Sequence, residues 1–322
     1  MGSKRVLVVG SLNMDLIVYC DRRPGSGETL AGTAFAMSPG GKGANQALAA
    51  ARLGGHVSLL GRVGEDAFGE RLLGSLREAG VDPRPVARTV GVSTGVALII
   101  VDGNGENSIV IVPGANSLLT PNDVAAGANL FREAGAVLLQ LEVPLETVVA
   151  AARAAAAAGA RVLLDPAPVP GGPLPRELLQ LADVLLPNQH EAGVLAGRAV
   201  PDLAAAWDVA GDLLDLGPRV VVLKVGAQGA IVAANGRCDH VPGLEVPAVD
   251  TTGAGDAFAG ALGVALVEGL DLLDGVAFAN RAAALSVTRR GAQPSMPTRH
   301  EVDRLAGARD RYEPPEDAVR SS

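Results

Sequence analysis

Short apolar runs recur along the chain, and most end on a glycine or a small polar residue. Val6 to Val9 stops at Gly10, and Val57 to Leu60 stops at Gly61. Ala136 to Leu139 leads to Glu142, Arg161 to Leu164 to Asp165-Pro166, Val184 to Leu186 to Pro187-Asn188, and Val220 to Leu223 to Lys224. Runs of this length without polar alternation predict strands buried on both faces. Between them lie helical patterns at Ala44 to Leu53, Phe68 to Ala79, Glu146 to Ala158, Arg198 to Gly217 and Ala277 to Val287. Strands alternating with helices predict an α/β fold with a mostly parallel sheet covered on both sides.

Two stretches break this rhythm. Residues 16–37 read as strands around the turn Pro24-Gly25-Ser26-Gly27. Gly95 to Val101 and Ser108 to Val112 are strong β runs joined by Asp102-Gly103-Asn104-Gly105-Glu106, a hairpin pattern. Together they predict a small separate sheet made of two chain segments, which needs a second surface to be stable. A second hairpin, Ile231 to Ala234 with Arg237 to Val241, turns at Asn235-Gly236. The expected organisation is therefore an α/β domain of residues 1–15, 38–94 and 113–305, a discontinuous β segment of 16–37 and 95–112, and a charged, mobile tail of 306–322.

Composition narrows the class. The chain has 322 residues, 48% of them hydrophobic but only 2% aromatic, so its core is built from Val, Leu, Ile and Ala. A net charge of −8 argues against general nucleic-acid binding, which rests on a basic surface. Cys20 and Cys238 lack CxxC partners and read as reduced thiols of a cytoplasmic protein. No apolar run is long enough for a membrane span.

The chemistry gathers after strand ends, where open α/β sheets bind ligands. Gly10 to Asp15 brings Asn13 and Asp15 to the end of the first strand. Gly40-Gly41-Lys42-Gly43-Ala44-Asn45 opens a helix but lacks the Ser or Thr of a phosphate loop, and no GxGxxG is present. Asp250-Thr251-Thr252-Gly253-Ala254-Gly255-Asp256 runs into a helix that is apolar almost all round. Two readings stay open there. Asp256 is an ordinary helix cap, or it is a base beside an anion hole formed by backbone N–H groups at the helix start.

The motifs GSLNMD at Gly10 to Asp15, GGKGANQA at Gly40 to Ala47, GENSIVIVPGAN at Gly105 to Asn116, Asn188-x-x-Glu191, DTTGAGD at Asp250 to Asp256 and GAQPS at Gly291 to Ser295 occur in this order. With them the sequence, from residue 5 to about 297, closely resembles the ribokinase family of carbohydrate kinases. The resemblance implies a three-layer αβα sandwich with a mostly parallel central sheet and a β-sheet lid, the lid being 16–37 plus 95–112. It implies ATP-dependent phosphorylation of the 5-hydroxyl of D-ribose, or of the acceptor of a deoxyribokinase or another sugar or nucleoside kinase. Asn13, Asp15, Gly41, Lys42, Asn45 and Glu142 would hold the sugar hydroxyls, and Asp256 would take the proton. Gly253, Ala254 and Gly255 would form the anion hole. Asn188, Lys224, Val225, Gly226, Ala227, Gln228, Gly229 and Asn280 would line the ATP site. Lys224 replaces a small hydroxyl residue of some relatives, and either adds charge near the phosphates or points to solvent. Glu191, with Asn188, would organise Mg²⁺ through water. Asp250, Thr252, Ser286, Arg289, Gly291 and Ser295 match positions of a K⁺ site, Arg289 not through its side chain. A homodimer through the lid is the expected assembly.

Overall fold

A computed structural model describes residues 5–309. In chain order its strands are β1 (Arg5–Val9), β2 (Asn13–Tyr19), β3 (Ala34–Gly40), β4 (Val57–Gly64), β5 (Val86–Thr89), β6 (Gly95–Val101), β7 (Asn107–Val112), β8 (Ala134–Leu139), β9 (Arg161–Leu164), β10 (Val184–Leu185), β11 (Val220–Lys224), β12 (Gly229–Ala234) and β13 (Arg237–Pro242). The helices are α1 (Lys42–Arg52), α2 (Ala67–Glu78), α3 (Pro121–Ala126), α4 (Ala128–Glu133), α5 (Leu145–Ala157), α6 (Arg176–Leu181), α7 (Gln189–Ala196), α8 (Leu203–Asp215), α9 (Ala254–Glu268), α10 (Leu272–Ser286) and α11 (Arg299–Arg309).

Among the described residues the main sheet has nine strands in the order β13-β12-β11-β10-β9-β8-β1-β4-β5. It is parallel from β11 to β5, and β12 and β13 add an antiparallel edge. The β12–β13 turn places Asn235 at φ 51° and Gly236 at φ 71°, the left-handed pair that a two-residue hairpin demands. Strand β1 shows why its run is unbroken by polar residues. Val6 and Val8 enter one core with α1, α9 and α10, while Leu7 and Val9 enter the other with α5, α6 and α8. The result is the three-layer αβα sandwich expected of the pattern.

The small sheet has the order β3-β2-β6-β7. Its strands reach further than expected: Asn13–Asp15 begin β2 and Ser38–Gly40 end β3, so both segments are paired at the root of this sheet. Asn13 and Asp15 therefore sit on a strand of the small sheet, not in a loop after β1. The short helices α3, α4, α6, α7 and α11 and strand β5 were not expected. Each is too short or too polar to carry a full apolar period. Helix α11 continues through 306–309, the start of the expected tail; residues 310–322 lie outside the described residues.

Candidate active site

Helices α1 and α9 cross where neither has a bulky side chain. A Cβ on Gly260 would stand 2.7 Å from the Gln46 carbonyl oxygen and 2.9 Å from the Ala50 nitrogen. One turn earlier on the same face of α9 is Asp256. The close crossing thus sets its carboxylate against the first turn of α1. Asn45 Nδ2 donates to Asp256 Oδ2 at 3.0 Å and Gln46 Nε2 to Oδ1 at 3.1 Å. The cap of α9 is Gly253, at φ 79°, so Asp256 is not the N-cap. Of the two readings the local sequence left open, the helix cap is excluded. Asp256 is 5% exposed. Burial raises its pKa, the Lys42 ammonium opposes that, the Asp165 charge adds to it, and the two amides oppose it again. A buried, oriented carboxylate with raised proton affinity suits a general base.

The amide of Gln46 is itself fixed. Its Oε1 accepts from Gln140 Nε2 at 2.6 Å, and its Nε2 also reaches Asp165 Oδ2 at 3.0 Å. Asp165, at the end of β9, is buried between two lysines, with Lys224 Nζ at 3.0 Å and Lys42 Nζ at 3.9 Å. Lys224 thus points inward, not to solvent. Burial alone would lower the Lys42 pKa. The carboxylates Asp256, Asp165, Glu142 and Glu191 outweigh that and hold it raised.

On the other side of Asp256 lies a group of hydrogen-bonding side chains. Glu142 Oε2 accepts from Ser11 Oγ at 2.5 Å and from the Lys42 backbone N–H at 3.0 Å. Asn116 donates to Asn13 Oδ1 at 2.8 Å and accepts from the Leu12 N–H. Asn45 Oδ1 is buried with no partner among the described residues, an acceptor free for a hydroxyl. Burial pushes the Asp15 carboxyl up to about 7, with the charges of Glu142 and Asp256 adding to the shift.

A cleft of about 640 Å³ opens beyond Asp256, lined by Asn188, Lys224, Gly226, Ala227, Gly255 and Asn280 among others. Val225 and Gln228, expected there, do not line it. Val225 is packed in the α5-side core, and the Gln228 carbonyl accepts from His240 and from the Gly243 N–H. Asn188 and Glu191 form a capping box on α7, with both Glu191 oxygens accepting from Asn188. Asn280 Nδ2 donates to the Val241 carbonyl at 3.1 Å.

The remaining expected positions gather behind α9. Asp250 accepts from the N–H groups of Thr252 and Gly291, tying the 250–252 turn to the loop after α10. Ser286 and Ser295 hydroxyls donate to the carbonyls of Ala283 and Ala292, and the Arg289 side chain pairs with Glu301. Asp165, Gln46, Gln140, Asn116 and Ser11 were not singled out from the sequence. Ser11, Gln46 and Asn116 lie within the glycine-punctuated motifs and Asp165 at a strand end; Gln140 carried no signal.

The chain is similar to known proteins over most of its length. The ribokinase of Bacillus subtilis (strain 168) is 41% identical over 302 residues, covering 94% of this chain and 99% of that one. The deoxyribokinase of Salmonella typhimurium is 38% identical over 293 residues, covering 91% and 95%. The structure of Arabidopsis thaliana ribokinase complexed with ribose and ATP superposes with a TM-score of 0.86 at 36% identity, covering 94% and 99%. The model of the pfkB family carbohydrate kinases matches residues 3–299, within which every site residue expected from the sequence falls, and the chain belongs to that family.

Proposed function

We propose that this protein is an ATP-dependent ribokinase that converts D-ribose to D-ribose 5-phosphate. The observation that carries the reading is Asp256, a buried carboxylate fixed by two amides at the N-terminus of α9. It stands between a hydroxyl-binding group and a cleft flanked by lysines. Asn13, Asp15, Gly41, Lys42, Asn45 and Glu142 hold the sugar and aim its 5-hydroxyl at Asp256. Asp256 takes the hydroxyl proton as that oxygen bonds to the γ-phosphorus and the bond to the ADP oxygen breaks. The N–H groups of Gly253 and Gly255, at the positive end of the α9 dipole, stabilise the charge on the transferring group; the Ala254 N–H, expected with them, donates to the Thr251 carbonyl at 3.2 Å.

The nucleotide lies along Asn188, Lys224, Gly226, Ala227, Gly229 and Asn280. Both Glu191 oxygens are engaged in the capping box, so Glu191 would reach a Mg²⁺ ion through water. Mg²⁺ would neutralise phosphate charge. Asp250 ties the 250–252 turn to the loop after α10, and oxygens of Thr252, Ser286, Arg289, Gly291 and Ser295 would hold K⁺ with it. K⁺ there would brace the anion hole from behind.

The small sheet acts as the lid. The strands alternate faces: Asp15, Ile17, Ile99 and Ile109 share one, and Val18, Phe35, Leu98 and Val110 the other. Both faces are apolar, which fits closure over the sugar on one side and a second copy of the chain on the other. The free thiols Cys20 and Cys238 fit a cytoplasmic setting. No helix of the described residues is long and apolar enough to cross a membrane.

The test is one coupled assay with ribose, 2-deoxyribose, fructose and adenosine as acceptors. Ribose should give the highest kcat/KM, and a preference for 2-deoxyribose would make the protein a deoxyribokinase instead. Asp256→Asn should cost roughly 100-fold or more in kcat, and near-normal turnover would remove Asp256 from the mechanism.

A further inference from the structure

Lys224 occupies a place that electrostatics alone does not favour. Its side chain is 13% exposed and its ammonium faces the first turn of α9, where a Cβ on Gly255 would stand 3.4 Å from Nζ. A helix N-terminus carries partial positive charge and favours anions, not a cation. Lys42, a second cation, lies on the far side of Asp165. Among the described residues the one hydrogen-bond partner of its ammonium is Asp165, at 3.0 Å. Asp165 does not depend on Lys224 in return, because Gln46 donates to its Oδ2 and Lys42 lies 3.9 Å from that same oxygen. An anion placed between Gly255 and Nζ would satisfy the helix end and the lysine together.

We propose that Lys224 exchanges partners during the reaction, leaving Asp165 for a non-bridging oxygen of the transferring phosphoryl group, and that Asp165 is the positioning residue that parks it. This deepens, and rests on, the sugar-kinase reading of the same site. No proton moves at Lys224. The sugar proton goes to Asp256, and the phosphorus passes from the ADP oxygen to the sugar oxygen. A carboxylate already paired with Gln46 and Lys42 can release the lysine without being left a bare buried charge. The exchange favours the triphosphate, since the transferring group is the one that stands against Gly255. It also makes the lysine a group that touches the reacting atoms, whereas Asp165 acts only through it.

The experiment compares the wild type with Lys224→Met, Lys224→Arg, Asp165→Asn and the Lys224→Met/Asp165→Asn double variant, all checked by thermal melting. The double variant removes both charges, so it guards against a fold lost to an unpaired Asp165. Lys224→Met and the double variant should lose about 100-fold in kcat, the scale of one lost donor at a developing charge, with KM for ribose within about threefold of wild type. Lys224→Arg should recover part of that loss. Calorimetry without sugar should show the preference for ATP over ADP shrinking in Lys224→Met. In Asp165→Asn, where the lysine is no longer parked, ATP should bind more tightly and its preference over ADP should widen. A kcat within about threefold of wild type in the double variant, or unchanged nucleotide preference in Lys224→Met, overturns the proposal while ribose turnover continues. Failure of the wild type to phosphorylate any sugar overturns the sugar-kinase reading instead, and the calorimetry still decides the lysine contact.

Discussion

At the scale of single residues, the site is a set of carboxylates kept apart by what surrounds them. Asp15, raised to about 7 by burial and by the neighbouring Glu142 and Asp256 charges, stands out. As an acceptor for sugar hydroxyls it must be ionised. The kcat/KM for ribose, which reports the free enzyme, should therefore fall by about tenfold per pH unit below 7. Asp15→Asn should start lower and lose the break near 7; a break that persists in that variant belongs to another group. The sign for stability is opposite to the usual carboxylate. The folded chain holds this proton more tightly than the unfolded chain, so the contribution of Asp15 declines as pH rises from about 4 to 7. Asp15 and Asp256 were legible in the sequence because they lie within glycine-punctuated motifs. Gln46 and Gln140 were not. Gln46 lies in such a motif but reads there as an ordinary polar residue of a helix, and Gln140 lies in none; their roles arise only when α1 and the end of β8 bring Gln140 to Gln46, and Gln46 to Asp256 and Asp165, from far away in the chain.

At the scale of elements, the α1–α9 crossing is what turns two motifs into one site. Sequence patterning shows both helices but not their distance, since that depends on which small residues face each other. The same limit explains the capping box of α7: a spacing that reads as a ligand pair is equally the signature of a helix start, and only the hydrogen bonds distinguish the two uses. Two Gly→Ala substitutions separate packing from propensity. In α8, Gly211 has nothing within 4 Å of its added Cβ. Gly211→Ala should stabilise by about 0.5–1 kcal/mol through helix propensity. Gly260→Ala gains the same propensity but drives its methyl into the backbone of Gln46 and Ala50. Overpacking of this kind costs about 1–3 kcal/mol, so its melting temperature should drop. Because the strain falls on the residue that orients Asp256, kcat should drop too while KM for ATP holds. A Gly260→Ala enzyme with wild-type melting and turnover would show that the crossing does not set the site.

At the scale of the whole molecule, the unusual surface is the small sheet. A half-solvated antiparallel sheet ordinarily shows an apolar face and a polar one. Here Phe35 and Val110 are each 61% exposed on one face, and Ile109, half exposed, lies on the other with Asp15. The cross-strand rows Met37–Leu16–Leu98–Val110 and Phe35–Val18–Ile100–Ser108 make the face opposite Asp15 apolar almost to its tip. The root of that face is covered within the chain, with Met14 fully buried and Leu16 packed on the main core, while its outer part, with Phe35 and Val110, is exposed. A second copy of the same sheet is the self-complementary solution, since a two-fold pair presents the same patch from both partners. The wild type should sediment as a dimer at micromolar concentration. The Phe35→Glu/Val110→Glu double variant should shift to monomer. Because Asn13 and Asp15 sit at the root of this sheet, the monomer should bind ribose more weakly, with KM for ATP little changed. A wild type that stays monomeric at high concentration, or a double variant that still dimerises, would assign the exposed face to closure of the lid within one chain.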